Sequence, residues 1–486
     1  MKKRLLSIVL CAVLLTGVVF GVSVGADAAV FYGDADGNGK VESTDVTMLQ
    51  RGLAGMTTLT KGEIQRGTVS RGKKLSIIDV TLIQRYLANM ITGFPAEESE
   101  ITKVKDVIPI EIKDAKSWGT IYAYFYNAAT GEELAASPGV KLTDGSVGSD
   151  GKTVYHLDVD VVRYDRVVFS DGNRRQSIET PVTKASRGFM ITDRNATKYD
   201  VDVYTDDQYA AGKIDTVKMD YPGYSEGEQK TVWIYLPDGY DPADTTKRYS
   251  VLYMDDGQVM LGTLPNDDWR CDKTVRSLMG NGGDGVIIVG ISSLEGVRDR
   301  EMRPYLGEPV WDSDYNGGIP ETMTKDELLE AYKEYCDGET FADFTVNKVI
   351  PYVESHYNVN SVRGFTGSSG GGLMAFYMGI EYAEHFDYVG VMSPSLNVYD
   401  ASVWDEYLST KDFSDKVPRM YIFCGNNQKD AIEKDLYTYS AEAESWLLAH
   451  GYPNDSVRTV INDDTKHMHK YWGLYLPELF SWGMRL

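Results

Sequence analysis

Val362-Arg363-Gly364-Phe365-Thr366-Gly367-Ser368-Ser369-Gly370-Gly371-Gly372-Leu373-Met374-Ala375-Phe376-Tyr377-Met378 is the stretch that decides the fold of the larger part of this chain. Its first five residues read as a strand and its last six as an apolar helix, joined by Gly-x-Ser-x-Gly. A strand that runs straight into a helix must bend sharply; glycines permit the bend, which lifts Ser369 to the edge of a sheet. The same pattern occurs at 21–25 and 223–227, as chance allows in a chain with 47 glycines. Neither of those lies between a strand and a helix, and Ser368 lacks a glycine two residues before it. Context therefore selects Ser369.

Around this bend, apolar strands alternate with helices from about residue 213 to 486. Thr231–Leu236, Ser250–Met254, Gly285–Ile291, Val362–Thr366, Tyr388–Met392, Arg419–Cys424 and Val457–Ile461 read as strands, which predicts a mostly parallel α/β sheet. A serine nucleophile needs a base, and six histidines compete. His156 lies in an earlier domain, His356 precedes a strand, and His385 and His450 sit at helix ends, where positive charge suits the helix dipole. His467 and His469 follow the last strand, where the chain order Ser, acid, His places the base. The acid should follow the strand ending at Cys424-Gly425. Asp430 is the first carboxylate there, with Glu433 and Asp435 as rivals. The backbone N–H of Gly370, next after the nucleophile, is one donor for an oxyanion hole.

The rest of the chain is different in kind. At 486 residues it is too long for one domain, and 42% apolar with 25% charged residues is ordinary globular composition. With 49 basic against 72 acidic residues, a net charge of −23 makes a nucleic-acid partner a poor fit. Lys2, Lys3 and Arg4, the apolar run Leu5–Phe20 and Ala26-Asp27-Ala28 read as a signal peptide over 1–28, so a secreted, extracellular protein is expected. No later stretch has the ~18 apolar residues of a membrane span. Cys11 leaves with the leader; Cys424 reads as a buried strand residue, and a Cys271–Cys336 bridge is open.

Val41–Met56 recurs as Leu75–Met90, 34 residues on, with eight of sixteen positions identical. Two copies are too few for a repeat array. Ahead of the first copy, Asp34, Asp36 and Asn38 fall at positions one, three and five of a calcium loop. Gly39 allows the turn, Lys40 offers a carbonyl, Glu42 acts through water and Asp45 closes the loop at twelve. One calcium ion is expected, since Thr68, Ser70, Gly72 and Lys73 replace the ligands ahead of the second copy. After the acidic stretch 95–100, short strands (Ile121–Tyr126, Val154–Val161, Arg166–Ser170) separated by Gly/Asp/Asn turns predict a β-sandwich.

These motifs carry three resemblances. Residues 213–486 resemble the esterase D / carbohydrate esterase family 1 group, through Val232–Pro237, Val251–Gln258, Gly367–Gly372 and Leu476-Pro477. That resemblance implies an α/β-hydrolase cleaving feruloyl or acetyl esters on plant polysaccharides, with Ser369, His467 and Asp430 as triad and the Gln258 N–H as second oxyanion donor. His467 fits the family's ending, with Trp472 and Leu476-Pro477 in register, and His469 stands where an aromatic is usual. Residues 31–94 resemble a small helical type I dockerin. This implies a cohesin of a scaffoldin as partner, met through Ser43, Thr44, Gln50 and Arg51, in a cellulosome- or amylosome-type complex. Residues 101–205 resemble the starch-binding modules of carbohydrate-binding family 26, implying Trp118, Tyr122, Tyr124 and Gln176 as sugar contacts; Ser137 stands where that family usually has Trp. Competing expectations are a catalytically inactive glycan-binding or scaffold-associated protein, and an esterase for acylated starch.

Overall fold

The computed structural model describes residues 33–36, 40–69, 75–87, 107–195, 197–204, 212–223, 227, 229–261, 268–293, 296–311 and 323–486. The expected leader 1–28, Asn38 and the acidic stretch 95–100 lie outside these residues. The chain forms two compact units, Met1–Glu100 and Ile101–Leu486. Among the described residues, no helix is long and apolar enough to cross a membrane.

In the first unit the 34-residue repeat becomes two 11-residue helices, Ser43–Leu53 and Ile77–Leu87. Equivalent positions of the two, Val46 with Val80 and Leu49 with Ile83, are buried in one small core. Each start is tied by an aspartate: Asp45 accepts the Glu42 N–H at 2.8 Å, and Asp79 accepts the Ser76 N–H at 2.8 Å. A shorter helix, Lys61–Gly67, lies between them in sequence, capped reciprocally by Thr60 and Glu63.

The second unit begins with nine strands: β1 (Val107–Asp114), β2 (Tyr122–Tyr126), β3 (Val140–Lys141), β4 (Ser146–Val147), β5 (Thr153–Asp160), β6 (Arg166–Ser170), β7 (Thr180–Pro181), β8 (Gly188–Asn195) and β9 (Lys198–Val203). They form two sheets, β4-β5-β1-β8-β9 and β3-β2-β6-β7. In β2 the period of two buries Ala123 and Phe125 and leaves Tyr122, Tyr124 and Tyr126 half-buried on the other face.

Eight further strands build the third and largest sheet: β10 (Lys213–Asp220), β11 (Gln229–Leu236), β12 (Tyr249–Met254), β13 (Val286–Ile291), β14 (Val359–Ser368), β15 (Tyr388–Met392), β16 (Arg419–Gly425) and β17 (Val457–Asn462). Their order is β10-β11-β13-β12-β14-β15-β16-β17. The β10–β11 and β11–β13 pairs are antiparallel and the rest are parallel. All seven expected strands are present, and β10 is added to them at the edge of this sheet. Both faces are covered, and β12 alternates between two cores, Leu252 and Met254 in one, Val251 and Tyr253 in the other.

The β-rich part and the α/β part are not separate beads. One apolar core runs from Ile108, Phe125 and Phe169 of the first into Tyr421, Tyr475 and Phe480 of the second. Buried Arg166 of β6 donates to buried Glu478 of the last helix, His469–Gly483, through two nitrogens at 3.3 Å. Lys470 meets Asp200 at 2.6 Å and the Tyr471 hydroxyl donates to it at 2.9 Å. The three described cysteines are unbridged.

Candidate active site

Ser369 sits between β14 and the buried helix Gly370–Glu381 with φ 60° and ψ −122°, a region that side chains other than glycine avoid. The strain is held from the neighbouring strand: Ser369 N–H donates to the Met392 carbonyl at 3.0 Å, and Ser395 N–H donates to the Ser369 carbonyl at 3.0 Å. Gly370 opens the helix, so its N–H belongs to the first turn, where amides lack an intrahelical acceptor. The outer glycines of the motif serve a close approach. A Cβ on Gly367 or Gly371 would lie 2.1 Å from a carboxyl oxygen of Asp255. Asp255 is 1% exposed and neither of its oxygens has a hydrogen-bond partner. Burial, and then the neighbouring Asp256 carboxylate, push its pKa well above 3.8 against an opposing pull from Arg298.

The loop after β12 is built around a charge pair. Asp256 has φ 48°, and Gly257 packs so tightly on β13 that a Cβ would stand 2.3 Å from the Gly290 backbone. Arg298 grips Asp256 through Nε at 2.8 Å and Nη2 at 2.6 Å, and donates to the Ser368 carbonyl at 3.4 Å. Burial would raise the Asp256 pKa, but Arg298's charge and hydrogen bonds outweigh it and hold the carboxylate ionised. The Gln258 side chain donates to Asp256 at 3.1 Å and to Ser293 at 2.8 Å, which fixes the segment whose N–H the resemblance names as oxyanion donor. Arg298 Nη1 comes to 3.4 Å from where a Gly370 Cβ would be, so a cation borders the same place.

His467 lies in the turn between β17 and the last helix, with its side chain 11% exposed and its ring edge-on to Trp472 at 4.9 Å. The Trp472 indole donates to Ser393 Oγ at 3.0 Å, and Ser393 directly follows β15, whose Met392 holds Ser369. These links bring the serine and the imidazole to the same C-terminal edge of the sheet. His469 also packs edge-on to Trp472, at 5.0 Å.

Two carboxylates approach the His467 turn. Asp430 caps the helix Ala431–Ala449, accepting the Ile432 and Glu433 N–H groups at 3.1 Å, and its other oxygen accepts the His467 backbone N–H at 3.4 Å. Its carboxylate serves main chain. Glu433 is fully buried, with Oε2 3.8 Å from His467 Nδ1. It also accepts from Ser393 Oγ at 2.8 Å and Cys424 Sγ at 3.3 Å. Nδ1 itself is buried without a hydrogen bond. The sequence could point to residue 433 only through its place in the first helical turn after the strand, facing Cys424.

The other expected sites are also located. Asp34, Asp36 and Asp45 bring carboxylate oxygens within 4.8 Å of one another, with Asp34 and Asp45 buried. Burial raises the Asp45 pKa, and the Asp36 and Asp34 charges add to the rise. Three converging hard oxygens suit calcium. Arg66 holds the loop's backbone, donating to the Asp34 and Ala35 carbonyls at 3.0 and 2.9 Å. Lys40 is exposed beside this loop, and Ser43, Thr44, Gln50 and Arg51 are exposed on the helix Ser43–Leu53. Trp118 is not a sugar platform. It is 6% exposed, packed edge-on against Tyr199 at 4.9 Å and covered by Arg175. Tyr122 packs its ring on Gly172. Tyr124 and Gln176 remain accessible.

Residues 225–444 match the family described as "Esterase: Putative esterase". Over 142 residues the chain is 23% identical to the uncharacterized protein YbbA of Bacillus subtilis (strain 168), covering 28% of this chain; the chain spans 56% of that relative's length. Among solved structures it is similar to the siderophore hydrolase EstA from Aspergillus nidulans, at 16% identity and TM-score 0.43 over 58% of this chain and 97% of that one. It is also similar to a mutant feruloyl esterase module from Clostridium thermocellum complexed with sinapinate, at 16% identity and TM-score 0.39 over 56% and 88%. The family match covers the bend that carries Ser369 and most of its sheet, and supports an esterase-like reading of this part of the chain.

Proposed function

We propose that the chain is a secreted carbohydrate esterase that removes feruloyl or acetyl groups from plant polysaccharides. The observation that carries this reading is the strained Ser369 backbone at the strand-to-helix bend. Ser369 Oγ attacks the ester carbonyl while His467 takes its proton. The oxyanion is received by the Gly370 and Gln258 N–H groups, and the sugar alcohol leaves with the proton from His467. Water then repeats the sequence on the acyl-enzyme. Glu433, in place of Asp430, holds the imidazole's orientation and stabilises its cation. Calcium held by Asp34, Asp36, Asn38, Lys40 and Asp45 orders the N-terminal unit for a cohesin, which meets Ser43, Thr44, Gln50 and Arg51.

Purified protein is expected to cleave 4-nitrophenyl acetate, and Ser369→Ala to lower kcat by about a thousandfold or more. An unchanged rate in that variant sinks the proposal. Methyl ferulate, acetylated xylan and acetylated starch, compared by kcat/KM, identify the acyl group and the polymer. One observation favours a non-catalytic binder: His467 Nδ1 lacks a hydrogen bond. Fluorophosphonate labelling separates the two, since only an activated Ser369 is modified.

A further inference from the structure

A cleft of about 540 Å³ opens at the seam between the β-rich part and the hydrolase part. Neither Ser369 nor His467 lines it. One wall is the outward face of β2, where Tyr124 and Tyr126 stack with ring centres 5.1 Å apart. The opposite wall is the turn after β17, with Asp463 and Asp464. Gln176 and Lys198 complete it.

Its chemistry selects the occupant. The lining bears Glu179, Asp463 and Asp464 against the single cation Lys198, which is already paired with Asp464 at 2.7 Å. An anionic ligand would meet net repulsion. A neutral chain of pyranose rings meets aromatic faces for its C–H surfaces, and carboxylates, an amide and the Ser137 and Ser170 hydroxyls for its own hydroxyls.

The hydrolase wall is also part of the catalytic frame. The Asp464 carbonyl accepts from Asn427 at 3.2 Å, and its N–H donates to Asn462 at 2.8 Å. His467 lies three residues further on, tied by its N–H to Asp430 at 3.4 Å. We propose that this cleft is a glycan subsite built jointly by the two parts, holding an underivatised stretch of polysaccharide against the turn that delivers His467. It rests on the carbohydrate-binding reading of Tyr124 and Gln176 and adds a hydrolase half, Asp463 and Asp464, to the sugar contacts.

The test is calorimetric titration of the full chain with maltohexaose, xylohexaose and cellohexaose, which distinguishes the polymers sharing this chemistry. At least one is expected to bind. Tyr124→Ala and Asp463→Ala are each expected to raise Kd about tenfold, or ~1.4 kcal/mol. Melting curves exclude variants that fail to fold, and Asp463→Asn, the same size but uncharged, stands in if Asp463→Ala is one of them. No binding of any of the three at millimolar concentration overturns the subsite. An effect of Tyr124→Ala with none from either Asp463 variant overturns its joint construction. Hydrolysis of 4-nitrophenyl acetate by the unaltered chain is measured alongside; its absence defeats the esterase reading and leaves the binding result standing.

Discussion

Asp255 and Glu433 are both buried carboxyl groups, and their surroundings differ. Glu433 accepts hydrogen bonds from Ser393 and Cys424 and faces His467. Glu433→Gln keeps the volume but removes the charge that stabilises an imidazolium. It is expected to lower kcat by ~100- to ~10,000-fold, toward the loss seen when a triad acid is neutralised. Asp430→Ala is instead expected to cost about 1 kcal/mol of stability through the lost helix cap, with the smaller effect on kcat. Steady-state kinetics beside urea melts decide between them, and the reverse ranking would restore Asp430 to the triad. Asp255 has no partner for its carboxyl, so burial keeps it protonated when the unfolded chain has already ionised. The folded state then binds more protons than the unfolded one, and stability falls as pH rises above 3.8 until Asp255 ionises in the folded state too. Asp255→Asn lacks this dependence. Its stability relative to the unaltered protein is expected to be level in acid and to climb by about 1.4 kcal/mol per pH unit across that window. Parallel urea denaturation curves from acid to neutral pH measure the difference, and a constant offset would mean that Asp255 is charged in the fold.

The elements of the hydrolase sheet were legible because seven of its strands are apolar runs bounded by turns, and the bend joins one of them, β14, to a helix of different periodicity. β10 was not, because Lys213–Asp220 is an edge strand that is mostly exposed, with only Val217 and Met219 partly buried against the core. β1 carries Pro109, the residue that argues most strongly against a strand, though Ile108, Ile110 and Ile112 are fully buried. Asp430 and Glu433 lie three residues apart, and nothing in their spacing says which faces the ring; the first turn of the helix decides that. The repeat was legible as two copies, and the two copies differ in chemistry. Asp45 has Asp34 and Asp36 beside it, whereas the side chain of Asp79 takes both the N–H and the hydroxyl of Ser76. Calcium titration is therefore expected to give one ion per chain in the unaltered protein and in Asp79→Ala, and none in Asp45→Ala. Two ions in the unaltered protein would give the second copy a site of its own.

A chain read as beads on a string has a middle part that could be cut away, and the shared core from Ile108 to Phe480 argues against this. Arg166 is the sharpest probe of that continuity, because it belongs to β6 while its charge partner Glu478 belongs to the last helix, eleven residues after His467 along the chain. Glu478 keeps Arg458 at 2.6 Å and the Tyr421 hydroxyl at 3.0 Å when Arg166 is removed, so its charge is not orphaned. Arg166→Met, which keeps an apolar stem in the same space, is accordingly expected to cost less than the ~3–5 kcal/mol of an ion pair broken without replacement. The location of the loss matters more than its size. If residues 101–486 are one cooperative unit, the free energy is withdrawn from every element that opens with it, and hydrogen exchange rises together in β2 and β6 and in β14 to β17. Independent modules predict faster exchange in β2 and β6 alone, with the hydrolase strands as slow as before. Exchange followed by mass spectrometry on the full chain distinguishes the two, and a change confined to the β-rich part would mean that the seam adds contact without cooperativity.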